Sequence, residues 1–269
     1  MDKIVTQDFA KAIRRLAVEL AYRTKTSHTG GTLSQADILA VLFSGFLRLA
    51  PESVRSPNRD RLILSKGHCC ASYYAALALK GFLAPEELRQ NYCKNGSRFF
   101  EHVSHSLPGV EWSTGSLGHG LPVACGMALG AKLRSLTSDV FCIVGDGEME
   151  EGSNWEALLF AAHHRLDNLC LIVDLNQMQA LGDTKDILDL APLPGKIKSF
   201  HWNVLAIDGH DHCQIRDALL AFRQCRGMPT AIVAATVKGK GVSFMEHNLR
   251  FHYSPPSDEE FAQAMEELK

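Results

Sequence analysis

Val144-Gly145-Asp146-Gly147-Glu148-Met149-Glu150-Glu151-Gly152 joins an apolar run, Val140 to Val144, to a helix-period segment over residues 151–165. Thirty residues after Asp146, the next apolar run, Leu169 to Asp174, ends in Asp174-Leu175-Asn176. Strand, turn, helix and strand in that order predict a parallel pair joined by a crossover helix, which brings Asp146 and Asn176 to neighbouring strand ends. Strands that are apolar on both alternations are buried on both faces, so helices are expected above and below the sheet. In an open sheet of this kind ligands bind beyond the carboxyl ends of the strands, where Asp146 and Asn176 lie.

The same alternation extends outward in both directions. Strands are predicted at Arg61 to Leu64, Val140 to Val144, Leu169 to Asp174, Val204 to Ile207 and Thr230 to Thr236. Helices are predicted near 8–24, 34–47, 68–80, 85–92, 118–136, 151–165, 211–224 and 257–268. The fold class is therefore α/β, a mainly parallel sheet with helices on both faces. No internal repeat, low-complexity tract or linker-like shift in composition interrupts the chain, so residues 1–269 are read as one domain. Three irregular stretches, 24–33, 95–118 and 238–256, are rich in Gly, His, Ser and Pro. Long irregular segments in such a fold are usually functional.

Bulk properties narrow the partners. The formal net charge is −2 with 46% hydrophobic residues, which favours neither disorder nor a polyanion-binding surface, so nucleic acid is not expected. The eight cysteines form no C-x-x-C pair and no zinc spacing, and several sit within apolar runs; they read as small core hydrophobes in a reducing compartment. Residues 8–23 carry charges throughout and lack the apolar region of a signal peptide, and no apolar run approaches the ~18 residues of a membrane span. A soluble, cytoplasmic protein without a membrane partner is expected.

Gly145 and Gly147 allow a tight turn and close approach of a phosphate, and the helix that follows offers free amides. A dinucleotide turn would require G-x-G-x-x-G, whereas here Glu148, Glu150 and Glu151 would repel a bare pyrophosphate. A small hard cation bridging two phosphates removes that conflict. It takes octahedral oxygen ligands, which Asp146, Asn176 and the backbone carbonyl of Met178 would supply. Gly-Asp-Gly alone is also compatible with an ordinary strand-to-helix turn; Asn176 at the corresponding end of the next strand argues for the metal site.

Gly145-Asp146-Gly147 with Asn176 resembles the thiamine diphosphate signature of the transketolase family. Further segments match in order: Ser27-His28-Thr29-Gly30-Gly31 is similar to the family's S-G-H-P-G-G loop, with Gly and Pro replaced, and Leu64-Ser65-Lys66-Gly67-His68 to its L-S-x-G-H. Pro108 to Gly120 is similar to P-G-V-E-x-S-T-G-S-L-G-Q-G and contains Gly115 and Leu117, with His119 where Gln is usual; Val237-Lys238-Gly239-Lys240-Gly241 extends the match nearly to the end. The resemblance implies a thiamin diphosphate-binding fold of the diphosphate-binding type, and thiamine diphosphate with Mg2+, or another divalent cation such as Ca2+ or Mn2+. It implies contacts to the cofactor from His68, Gly115, Leu117, Gly145, Asp146, Gly147 and Asn176.

The resemblance also gives roles to individual side chains. His28 aligns with a histidine that meets the substrate's carbonyl and hydroxyl oxygens and assists proton transfer, and His68 with one beside the diphosphate. His102 aligns with one at the donor's hydroxymethyl end, although the family has H-P where this chain reads His102-Val103-Ser104-His105, which keeps His105 as a second candidate. His252 falls near another family histidine across gaps. Glu151 and Glu156 match glutamates at the dimer interface that link two active sites; for Glu151 a favourable charge at a helix start is an equal reading.

A complete transketolase carries a second α/β domain that holds the pyrimidine ring, and the 269 residues leave no segment for it. The expectation is a split enzyme: this chain self-associates and pairs with a C-terminal transketolase subunit bearing the pyrimidine-binding and C-terminal domains, as α2β2. It would transfer a two-carbon ketol unit from a ketose to an aldose, with sugar or sugar-phosphate substrates. The α-subunit of a thiamine-dependent 2-oxoacid decarboxylase shares Gly-Asp-Gly and Asn but not the Ser-Thr-Gly-Ser-Leu-Gly or Ser-Lys-Gly-His segments. A non-catalytic paralogue would not be expected to keep Asp146, Asn176, His28 and His68 together.

Overall fold

The computed structural model describes residues 3–269. Five parallel strands form one sheet, β1 (Arg61–Leu64), β2 (Val140–Gly145), β3 (Leu169–Leu175), β4 (Asn203–Asp208) and β5 (Thr230–Ala235), in the order β1-β2-β3-β5-β4. Each lies where an apolar run predicts it; β1, β2, β3 and β5 are buried along most of their length, which leaves no room for a polar alternation, while β4, at the sheet edge, is only part-buried. Leu62, Leu64, Phe141, Ile143, Cys170, Ile172 and Ile232 point to one face, and Ile63, Cys142, Val144, Leu171, Val173 and Val233 to the other.

The first face is covered by α1 (Lys3–Thr24), α3 (Ala36–Val41), α4 (Cys70–Leu79) and α10 (His212–Gln224), through residues such as Ile13, Leu39, Tyr73 and Phe222. Between α1 and α3 lies the short α2 (Thr29–Ser34), and after α4 comes α5 (Pro85–Asn91). The second face is covered by α6 (Gly120–Leu133), α7 (Gly152–His163) and α9 (Leu193–Ser199), through Leu121, Ala124, Leu158 and Ile197; a short α8 (Thr184–Ile187) precedes α9. A third apolar cluster, with Val18, Leu33, Val242, Met245, Phe251 and Leu268, fastens the C-terminal segment with α11 (Arg250–Tyr253) and α12 (Asp258–Glu267) onto α1 and α2.

Two expectations are corrected here. The helix expected over 34–47 is broken into α2, α3 and a wide turn at Leu42–Phe46 that contains Gly45 at φ 102°. The start is drawn back into the stretch 24–33 because Gly30 and Gly31 let backbone run against two side chains: a Cβ on Gly30 would stand 2.9 Å from Lys238 Cγ, and one on Gly31 2.9 Å from Cys69 Sγ. The cysteines are all free, but only Cys69, Cys70, Cys125, Cys142 and Cys170 are buried; Cys93, Cys213 and Cys225 are partly exposed and are not core residues. Among the described residues no helix is long and apolar enough to cross a membrane.

Candidate active site

The carboxyl ends of β1, β2, β3 and β5 open into one cavity of about 290 Å3. Each strand delivers a polar side chain within a few residues of its end: Lys66 after β1, Asp146 after β2, Asn176 after β3 and Lys238 after β5. The three irregular stretches close the walls with His28 from the first, His102, Gly115 and Leu117 from the second, and His252 from the third. Gly145 pairs with Asp174 in the β2–β3 register, which puts Asp146 beside Asn176 as the crossover unit predicts.

Asp146 is buried, and its two carboxylate oxygens each accept one backbone N–H, from Gly147 at 2.8 Å and from Gln177. Burial, reinforced by the nearby Asp174, pushes its carboxyl up to about 6. That is the behaviour of an anion short of a counter-charge. Asn176 Oδ1 accepts the Met178 amide at 3.2 Å and keeps a second lone pair, and the Met178 carbonyl accepts from Lys238 Nζ at 3.2 Å. All three lie on the cavity wall. One carboxylate, one amide oxygen and one backbone carbonyl are the donors a Mg2+ ion takes, so these residues fit the metal that the sequence implies.

Of the two lysines, Lys238 touches that oxygen set through the Met178 carbonyl, while Lys66 is committed elsewhere. Lys66 is fully buried and donates to Asp174 and to the Gly31 carbonyl at 3.0 Å; Asp174 also accepts from Ser34 at 2.6 Å and from Thr236. Burial alone would lower the Lys66 ammonium, but the Asp174 carboxylate holds it well above its ordinary value. Burial and the charge of Lys66 lower Lys238. Against these two cations the lining also carries Asp146 and Glu148. The cavity has no surplus positive charge for a bare diphosphate, which is the physical case for a divalent ion between them.

Four imidazoles meet on the remaining side. The His28 ring lies 4.9 Å from that of His68, 5.0 Å from His252 and 6.4 Å from His102, centre to centre. Burial, with Lys66 and His28 nearby, lowers His68 to about 3; burial, with Lys238 and His28, lowers His252 to about 3; burial and the other rings lower His102. Crowded cationic forms repel one another and the lysines, so His68, His102 and His252 stay neutral.

His105, the second candidate for the role given to His102, bonds Ser113 through Nδ1 at 2.7 Å on the exposed surface and is not among the lining residues. Glu151 and Glu156 are exposed at the start of α7 and do not line the cavity; Glu156 borders a groove between α6 and α7 with Pro122, Cys125 and Phe160. Lys66 and Lys238 are cavity residues that the motifs alone did not single out, although both lie two or three residues past a strand end, which is the signal that identifies them. Glu148 is a third. This buried carboxylate accepts from the Ser65 hydroxyl, the Gly118 amide at 2.9 Å and the Gly145 amide at 3.2 Å, and so ties the ends of β1 and β2 to the loop before α6. Nothing in its spacing distinguishes it from Glu150, which is only part-buried.

Comparison with known proteins gives the same reading. Residues 5–269 match the family model described as transketolase, thiamine diphosphate binding domain. The chain is 44% identical over 262 residues to a subunit of the apulose-4-phosphate transketolase of Actinobacillus succinogenes, covering 97% of this chain and 94% of that one. It is 39% identical over 268 residues to 6-deoxy-6-sulfo-D-fructose transketolase subunit SqwG of a Clostridium species, covering 99% and 97%. The crystal structure of transketolase from Campylobacter jejuni superposes with a TM-score of 0.94 at 32% identity, over all of this chain and 43% of that one. This chain therefore belongs to the transketolase family, as its N-terminal, thiamine diphosphate-binding section.

Proposed function

We propose that this chain is the diphosphate- and metal-holding subunit of a two-chain transketolase, one domain over residues 1–269 whose pyrimidine-binding counterpart is a separate polypeptide. The observation that carries the proposal is the cavity itself: a hard-cation oxygen set, two lysines and four imidazoles converge on it, and it opens at the strand ends. The named subunits of split transketolases that match this chain along almost their whole length support the division into two polypeptides. Thiamine diphosphate, when bound, supplies the carbon nucleophile and electron sink for breaking the bond beside a ketose carbonyl.

The chain's own residues do the rest. Asp146, Asn176 and the Met178 carbonyl hold Mg2+; Gly145 and Gly147 let backbone approach the diphosphate. His68, Lys66 and Lys238 contact it, together with backbone at Gly115 and Leu117. His28 and His102 face the sugar, with His28 moving protons to and from its oxygens. Glu151 and Glu156 act across a self-association face built on α6 and α7, in an α2β2 assembly. The donor is a ketose with an anionic terminal group, a class suggested by the phosphate and sulfo groups in the relatives' names. The free thiols agree with a reducing, cytoplasmic location.

The test is ketol transfer from a panel of ketoses, with and without a terminal phosphate or sulfonate, to an aldose acceptor. It is run with this chain, with its pyrimidine-domain partner, and with both. Transfer only from the mixture, together with tighter thiamine diphosphate binding, is the expected result. Activity of this chain in a preparation free of a second polypeptide refutes the two-chain reading.

A further inference from the structure

We infer that Glu101 is a positioning residue that acts through Ser27 to fix which ring nitrogen of His28 faces the cavity. This rests on the proposal that His28 exchanges protons with the substrate.

The assignment follows from an inventory of hydrogens. Glu101 Oε1 accepts two bonds from Ser27, its backbone N–H at 2.9 Å and its hydroxyl at 2.7 Å. An ionised carboxylate only accepts, so the single hydroxyl hydrogen of Ser27 is committed to Glu101. Ser27 Oγ also lies 2.8 Å from His28 Nδ1. With its hydrogen committed, Oγ is the acceptor in that contact, and Nδ1 carries the ring proton. Nε2 is then the basic nitrogen. It has no protein partner among the described residues, and the ring lines the cavity. The chain Glu101, Ser27, His28 thus leaves one lone pair directed at the ligand space.

The backbone holds this arrangement at a cost. His28 adopts φ 63°, a left-handed conformation that a residue with a Cβ rarely takes. It is secured by its own N–H on the His252 carbonyl at 3.0 Å and by the Thr32 N–H on its carbonyl at 3.1 Å. Glu101 comes from the second irregular stretch, directly before His102, and is half-buried. The His28 ring beside it, with the two Ser27 donors, lowers its carboxyl to about 2 against the opposing effect of burial, so it is ionised across the working range. Its Oε1 is 3.5 Å from His28 Nδ1. The other groups facing His28 are the rings of His68, His102 and His252, with Lys66 and Lys238 farther across the cavity. Glu101 is therefore the anion placed to stabilise the imidazolium when Nε2 takes a proton.

The experiment uses the two-chain enzyme with Glu101→Gln, Ser27→Ala and His28→Ala, measuring kcat, KM and thiamine diphosphate affinity against pH. Glu101→Gln keeps an acceptor for both Ser27 donors and removes only the charge. Expected is a fall in kcat of about tenfold, unchanged cofactor affinity, and an acid limb of the kcat/KM profile displaced to lower pH, because the imidazolium loses its anion. Ser27→Ala should also lower kcat by releasing the ring tautomer, but it keeps the Glu101 charge 3.5 Å from Nδ1 and so should leave the acid limb in place. Independently of turnover, 15N NMR of the histidine-labelled chain, with the His28 signal identified by its loss in His28→Ala, should show the Nδ1–H tautomer in the wild type and a mixture in Ser27→Ala. A wild-type pH profile in Glu101→Gln, or an Nε2–H tautomer in the wild type, overturns the inference. If His28→Ala is slow while Glu101→Gln is normal, only the positioning role falls; if His28→Ala is also normal, the role of His28 falls with it.

Discussion

At the scale of single residues, the site separates into groups with different expected consequences. At the proposed metal site Asp146 and Asn176 would each offer an oxygen, and loss of even an outer partner of a metal ligand costs 10–100-fold in affinity. Asp146→Ala and Asn176→Ala should therefore weaken Mg2+-dependent thiamine diphosphate binding by more than about 100-fold, with the thermal unfolding midpoint of the Asp146 variant not lowered, since burial and Asp174 outweigh its two backbone hydrogen bonds and hold the carboxyl up at about 6. Calorimetric titration of the mixed chains checks this, and unchanged affinity in either variant removes the metal assignment. His28 and His68 should divide the effects: His28→Ala lowers kcat by roughly 100-fold with little change in cofactor affinity, while His68→Ala weakens cofactor binding first. Full rate and full affinity in both would make the two rings structural.

At the scale of elements, the decisive features are loops held open for backbone or compressed against it. The turn after β5 carries Lys238 into the cavity and continues into Gly239, which has φ 86°. A Cβ there would run into the Met245 backbone carbonyl. Neither the conformation nor the contact can be relieved by a rotamer change, because both partners are main chain. Gly239→Ala should thus destabilise the chain by about 2 kcal/mol or more and displace Lys238 from the Met178 carbonyl, weakening cofactor binding in proportion. Gly130→Ala makes the control, for a Cβ at this position in α6 meets nothing within 4 Å. It should stabilise the chain by about 0.5–1 kcal/mol through helix propensity. Urea unfolding curves of the two variants compare them; equal midpoints would contradict the steric reading.

For the whole molecule, acid is the expected weakness, and the signs can be worked out. His68 and His252 titrate near 3 in the folded chain. Their ordinary value is about 6.5, so below it the unfolded chain binds protons that the folded chain refuses, and stability falls as pH drops from about 6.5. Asp37 adds to this at lower pH. Burial would raise it, but hydrogen bonds from His210 at 2.7 Å and His212 at 2.9 Å, with the charge of Arg14, hold it well below the usual carboxylate range. Its contribution is present above about 3.9 and is lost as pH falls through the folded value. This cluster joins α3 to the start of α10 and, through the Val237 amide on His210 Nε2 at 2.9 Å, to the segment after β5. The melting temperature should decline from about pH 6.5 downward, and replacing His252 by Asn should flatten the first part of that decline. A flat profile between pH 7 and pH 5 would contradict the burial of these rings.

The order of apolar runs and turns determined the five strands, their parallel sense and the side of the sheet that bears the site, because period and crossover length leave few alternatives. The same pattern put Asp146 beside Asn176, and the irregular stretches marked the three loops that supply His28, His102 and His252. Tertiary structure alone decided the rest. The early start of α2 rests on packing of Gly30 and Gly31 against Lys238 and Cys69, residues distant in sequence. Glu148 differs from its neighbouring glutamates only because Ser65, Gly118 and Gly145 converge on it, and Glu101 is linked to His28 only because a loop 74 positions away folds back onto Ser27. Local periodicity records which residues must be buried, but a hydrogen bond between distant loops has no period, so it becomes visible only when the chain has closed around it.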